Sequence, residues 1–226
     1  MASTRPALPF PALVLVTDSA RLRSRQPSIE LDDIVRDAVL GGVNVVQLRE
    51  KHLSTMELIE LGLRVRDAIA GRALFFVNGD IDAARTLAAD GIHLPSHGLA
   101  VGDVRSLLGD RPLVSLAVHG VERAMAAERE GADLIQLGTT FETSSKPGVE
   151  PLGLEGVRDA CAAVKAPVVA IGGVTAANAG SLMRAGARGV AVMGAIMDAA
   201  DPRSAASALR RALDEATKRG EQCASS

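Results

Sequence analysis

The 226-residue sequence predicts a (β/α)8 TIM barrel, on three observations. First, one phrase recurs: a helix ends in small residues and glycine, and a short apolar run follows. It reads AVLGGVNVVQL at 38–48, LAADGIHL at 87–94, EREGADLIQL at 128–137 and LMRAGARGVAVM at 182–193. Glycine lets a helix stop in a left-handed conformation, and a short apolar run after such a stop reads as a buried strand. Second, the strands and helices alternate in eight units of roughly 25 residues, which suits a barrel better than a doubly wound open sheet. Third, 47% of residues are hydrophobic but only 2% aromatic, with no Trp or Tyr. The core must then be Val, Leu, Ile and Ala, as in parallel strands covered by Ala-rich helices.

The elements follow in order. The first strand is Leu13–Thr17. The second, Val43–Leu48, comes after the Gly41–Gly42 stop. A helix opens at Ser54 with a capping box completed by Glu57. The third strand is Ala73–Val77, followed by the helical DIDAARTLAAD and the fourth strand, Gly91–Leu94. Leu113–Ala117 is the fifth strand, with VERAMAAERE behind it, and Leu134–Leu137 is the sixth. LEGVRDACAAV leads to the seventh, Val168–Ile171. TAANAGSLMRAG leads to the eighth, Gly189–Met193, and DPRSAASALRRALDEATKR closes the chain. No linker divides it, so residues 1–226 read as one domain with flexible tails at 1–11 and 218–226.

Bulk properties narrow the function classes. The net charge of −2 offers no nucleic-acid or membrane-surface partner. No apolar run approaches the ~18 residues of a membrane span, and prolines interrupt the N-terminal MASTRPALPFP where a signal peptide would be apolar. Cys161 and Cys223 are far apart and give neither a disulfide framework nor metal spacing. A cytoplasmic protein is expected.

Barrel active sites lie at the carboxyl ends of the strands, so the residues there are the candidates. After strands seven and eight come IGGVT and VMGAI. Gly172, Gly173, Met193 and Gly194 are expected to bind phosphate through backbone N–H groups. QLREK closes strand two. Gln47 and Arg49 share a side of that strand, and an interior Gln suits a ligand better than an apolar core. Arg49 and Lys51 suit an anion, while Glu50 reads as a counter-charge. The stretch GTTFETSSKPG after strand six lies on the same face. Lys146, Ser145 and Thr143 read as phosphate or carboxylate contacts, and Phe141 as an apolar wall.

VTD, VVQLREK, FFVNGD, ADGIHL, GADLIQLGTTFETSSKPG, PLGLEGV, VVAIGGVT and GVAVMGAIMDAADP, taken in order, resemble the thiamin phosphate synthase and TenI superfamily from residue 12 to about 215. Its synthases join a pyrimidine diphosphate to a thiazole phosphate with magnesium on the diphosphate. Its TenI-type members are thiazole tautomerases. The resemblance implies a homodimer, a small phosphorylated thiazole ligand, a pocket lined by Gln47, Arg49, Lys51 and Asn78, and Lys146 and the Gly172–Gly173 amides on ligand phosphate.

Three departures set this chain apart from the synthases. Synthases carry Asn-Asp after strand three, a second metal carboxylate after strand four, and Ser-x-His after strand five. Here Gly79 follows Asn78, Gly98 occupies the second position, and Ala117 replaces the Ser. Asn78–Gly79, Leu94–Pro95–Ser96, Val118–His119 and Phe141–Glu142–Thr143 look like the tautomerase type instead. The expectation is a thiazole tautomerase, an isomerase using neither metal nor other cofactor, with His119 as the acid/base group. The alternatives are a synthase with magnesium and a non-catalytic protein that binds a thiazole or thiamin phosphate.

Overall fold

In a computed structural model describing residues 5–224, eight parallel strands close into a barrel in sequence order. The strands are β1 (Ala12–Val16), β2 (Val45–Leu48), β3 (Leu74–Asn78), β4 (Gly91–Leu94), β5 (Leu113–Val118), β6 (Leu134–Leu137), β7 (Val168–Ile171) and β8 (Gly189–Val192). Each lies within two residues of its expected place. The outer layer is α2 (Leu31–Leu40), α3 (Thr55–Ile69), α4 (Ile81–Thr86), α5 (Val101–Leu108), α6 (Val121–Arg129), α7 (Gly153–Ala163), α8 (Ala176–Arg184) and α10 (Pro202–Ala224). Two short helices are additional: α1 (Ser19–Arg25) after β1 and α9 (Gly194–Met197) after β8. Both begin at the strands' carboxyl ends and thicken the rim. α10 continues into the segment read from sequence as a tail, whereas residues 1–4 and 225–226 lie outside the described residues. Among the described residues no helix is long and apolar enough to cross a membrane.

Two apolar layers hold the fold. The larger packs outward-facing strand residues such as Leu13, Val46, Ile92 and Ile135 against the helices. The smaller fills the barrel interior, with Phe76 as its largest member among Val14, Val45, Leu134 and Val169. Gly91 makes room for that ring: a Cβ there would lie 2.5 Å from Phe76 Cζ. Gly189 does the same for closure, because a Cβ would lie 2.2 Å from the Ala12 carbonyl oxygen on β1.

The amino ends of the strands are pinned by a recurring device. Asn44 Oδ1 accepts from the Leu13 N–H at 2.8 Å, Asp90 Oδ2 from Phe75 at 3.0 Å, and Asp133 Oδ2 from Val114 at 2.7 Å. In each case the residue just before an even-numbered strand satisfies a backbone donor of the preceding strand. These polar groups sit at the face opposite the mouth, where they serve stability.

Closure at β1–β8 yields a test. Gly189→Ala forces the seam apart and is expected to lower unfolding free energy by roughly 1–3 kcal/mol, read from the urea midpoint. Unchanged stability would show that the seam has room to spare.

Candidate active site

The mouth begins with a polar layer on top of the apolar interior. Gln47, His93, Ser115 and Gln136 are all buried. Gln47 Nε2 donates to Asn78 Oδ1 at 3.2 Å, and His93 Nδ1 and Ser115 Oγ lie 2.9 Å apart. His93 therefore satisfies a ring nitrogen within the barrel. Burial, and then the charge of Arg49, push its pKa down to about 3, so the ring is neutral. Gln47 and Asn78 thus meet at the mouth. Gln136 was missed by sequence reasoning, although an amide within an apolar strand was the signal that exposed Gln47.

Glu50 is not a solvated counter-charge. It is 6% exposed, and its carboxylate ties the ends of β1 and β2 together. Oε1 accepts from Thr17 Oγ1 at 2.6 Å, and Oε2 accepts from the Ser19 N–H at 2.7 Å. Thr17 Oγ1 in turn accepts from the Arg49 N–H at 3.0 Å. A buried carboxylate needs such donors, and here they fix the backbone that carries Arg49, half-buried, and Lys51, exposed. A residue between two cations hides this role, because the sequence pairs it with its neighbours rather than with Thr17.

The sixth loop is stitched to the end of β7. The Thr140 N–H donates to the Ile171 carbonyl at 2.9 Å and the Phe141 N–H to Gly172 at 3.0 Å. Gly172 and Gly173 adopt φ of 105° and 63°. Cβ atoms there would lie 2.9 Å from Thr139 Cγ2 and 2.4 Å from the Glu142 carbonyl oxygen. The glycines thus serve loop packing, which sequence reasoning did not foresee. Their N–H groups, and that of Gly194, have no acceptor among the described residues. Phe141 is half-buried against the core, and the Thr143 carbonyl accepts from the Lys146 N–H at 3.2 Å. Ser145 is exposed, its N–H donating to Thr143 Oγ1 at 3.3 Å. Met193 is the half-buried residue preceding α9.

His119 is exposed at the end of β5. Its Nδ1–H donates to the Gly138 carbonyl. That leaves Nε2 as acceptor in the neutral ring, 3.5 Å from Lys146 Nζ. Lys146 is exposed, yet the surrounding loop partly desolvates its ammonium. That effect first, then the charges of Lys51 and Arg49, lower its pKa. The three cations therefore face one region of the mouth. Near Gly194 stand two further arginines. Arg21 Nε donates to Asp198 Oδ1 at 2.7 Å, Arg25 lies 3.2 Å from Asp198 Oδ2, and a Cβ at 194 would lie 3.1 Å from Arg21 Nη2. The Arg21-x-Arg23-x-Arg25 spacing in the first loop was the overlooked signal.

Magnesium, implied by the synthase resemblance, does not fit the donors present. Among the described residues no group of three His, Cys, Asp or Glu converges. Asp80 Oδ1 caps α4 by accepting from the Ala83 N–H at 2.8 Å, and its Oδ2 accepts from Thr55 Oγ1 at 2.7 Å. Gly79 adopts φ of 75°, and a Cβ at Gly98 would lie 3.0 Å from Pro95 Cδ.

A family model described as Thiamine monophosphate synthase matches residues 13–196. The Thiamine-phosphate synthase of Chloroflexus aurantiacus is 40% identical over 201 residues, 88% of this chain and 90% of that one. That of Moorella thermoacetica is 40% identical over 204 residues, 89% and 95% of the two chains. A solved thiamine phosphate pyrophosphorylase from Pyrococcus furiosus superposes with a TM-score of 0.81 at 32% identity, covering 91% of this chain and 96% of that one. These relatives overturn the expectation of a thiazole tautomerase and of an isomerase. Whole-length kinship with synthases, which are transferases, outweighs three diverged mouth positions. The acid/base role expected of His119 was drawn for that tautomerase chemistry.

Neutral His93 yields a pH prediction. The folded ring stays unprotonated where an unfolded one, with its ordinary value of 6.5, takes a proton. Its contribution to stability is complete above pH 6.5 and is lost as pH falls toward 3, by up to ~1.4 kcal/mol per pH unit. His93→Gln should flatten the fall in unfolding free energy across that window. An identical slope in parent and variant would contradict the assignment.

Proposed function

Because the chain belongs to the thiamine monophosphate synthase family, we propose that it joins a pyrimidine diphosphate to a thiazole phosphate and releases pyrophosphate. The observation that carries this reading is the 40% identity to curated synthases over most of both chains. The mouth supports it by offering two anion-binding regions. The unpaired N–H groups of Gly172, Gly173 and Gly194 suit a phosphate monoester, and Arg21 adds a cation beside Gly194. Arg49, Lys51 and Lys146 suit the diphosphate. Between them, Gln47, Asn78 and the buried polar layer offer donors and acceptors to the rings.

The chemistry asks little of an acid or base. The thiazole nitrogen supplies its lone pair to the methylene carbon of the pyrimidine as the carbon–oxygen bond to diphosphate breaks. The bonding electrons leave on the diphosphate, so the developing charge is anionic and cations stabilise it. In this reading His119 orients Lys146 through Nε2, and Glu50 orients Arg49 through Thr17. The ligand is a small phosphorylated thiazole, as the resemblance implies, and the protein works as a homodimer in the cytoplasm.

Phosphorus NMR of the protein with hydroxymethylpyrimidine diphosphate and thiazole phosphate should show thiamin phosphate and inorganic pyrophosphate growing in equal amounts. Neither growing would refute the reading. Lys146→Ala should lower kcat/KM by about 10²–10³-fold. His119→Asn should cost less than about tenfold, well below the 10²–10⁴ of a positioned acid/base. A loss in that higher range would restore proton transfer to His119.

A further inference from the structure

The geometry points to a diphosphate subsite formed by Arg49, Lys51 and Lys146 that binds its ligand without a divalent cation. This rests on the proposed transferase reading, which supplies the diphosphate.

Two independent observations carry it. The first is that the carboxylates at the ends of β1, β2, β3 and β8 are already committed. Both Glu50 oxygens hold donors of the first loop, and both Asp80 oxygens hold donors of α3 and α4. Asp82 is exposed, 3.4 Å from Arg85. Asp18 caps α1, accepting from the Arg21 N–H at 3.0 Å, and Asp198 is paired with Arg21 and Arg25. Freeing Glu50 or Asp80 for a metal would leave buried or capping N–H groups without acceptors, and magnesium wants one or two carboxylates beside the phosphate oxygens.

The second is the opposite surplus. None of Arg49, Lys51 and Lys146 forms an ion pair with a carboxylate among the described residues. Partial desolvation first, and then the charges of Lys51 and Arg49, lower the Lys146 pKa. Like charges so arranged disfavour the empty site and are relieved by a polyanion. Diphosphate carries enough charge to neutralise all three, and Arg offers a planar fork for two of its oxygens. Adding a divalent cation would place a fourth positive centre beside strand-end carboxylates that already hold other donors.

Isothermal calorimetry with inorganic pyrophosphate tests this on the full chain, in EDTA and again in magnesium. The expected Kd in EDTA is within about threefold of that in magnesium, and Lys146→Ala and Arg49→Lys each weaken binding in EDTA by roughly tenfold or more. Binding that appears only with magnesium, or tightens tenfold with it, overturns the proposal, as does no binding in either buffer. So does unchanged affinity in both variants once circular dichroism shows them folded. The two readings separate cleanly. Synthase turnover that requires magnesium would overturn this subsite while leaving the transferase standing. Metal-free pyrophosphate binding without any turnover would do the reverse.

Discussion

Closure of β8 onto β1 is the constraint on which the rest depends. It turns eight separate strand ends into one ring, so that residues from positions 17 to 194 meet at a single mouth. The approach is close because Gly189 faces the Ala12 carbonyl with no side chain between them. An open sheet with the same strands would separate Thr17 from the β8 turn and leave two edges exposed. The barrel also sorts roles by end. Asn44, Asp90 and Asp133 pin the amino ends, while the carboxyl ends carry the glycine turns, the cations and the buried amides.

At the mouth, polar groups are ordered by what they touch. Glu50, Thr17 and Ser19 form a closed hydrogen-bond knot that serves the scaffold. Arg49, Lys51 and Lys146, a few residues or one loop away, are left without protein counter-charges. The same segment therefore holds a satisfied buried carboxylate and an unsatisfied cation cluster. That contrast separates structure from function more sharply than residue type does. Lys146 reaches the cluster because the sixth loop is bonded to Ile171 and Gly172 rather than free to swing.

The sequence made the strands legible because buried parallel strands read as short apolar runs after glycine stops. It also marked Gln47, Arg49, Lys51 and the sixth loop as mouth residues, since their positions follow from the barrel alone. α1 and α9 escaped notice because one is a short basic segment and the other a four-residue turn without a periodic pattern. The partnership of Glu50 with Thr17 joins residues 33 apart across two strands, which no local pattern encodes. Gly172 and Gly173 look like ligand-approach glycines in sequence, yet they also admit the Thr139–Glu142 backbone, a contact visible only in three dimensions. Reading Gly79, Gly98 and Ala117 as the loss of synthase chemistry gave local differences more weight than kinship along the whole chain supports.

The proposed function places two distinct anion sites on one mouth. The most direct measurement is a crystal structure of the full chain grown with inorganic pyrophosphate and the thiazole phosphate together. The phosphate monoester is expected against the Gly172 and Gly173 amides, with the pyrophosphate against Arg49, Lys51 and Lys146. Pyrophosphate seated on the glycine amides with the three cations bare, or both anions bound outside the mouth, would contradict it.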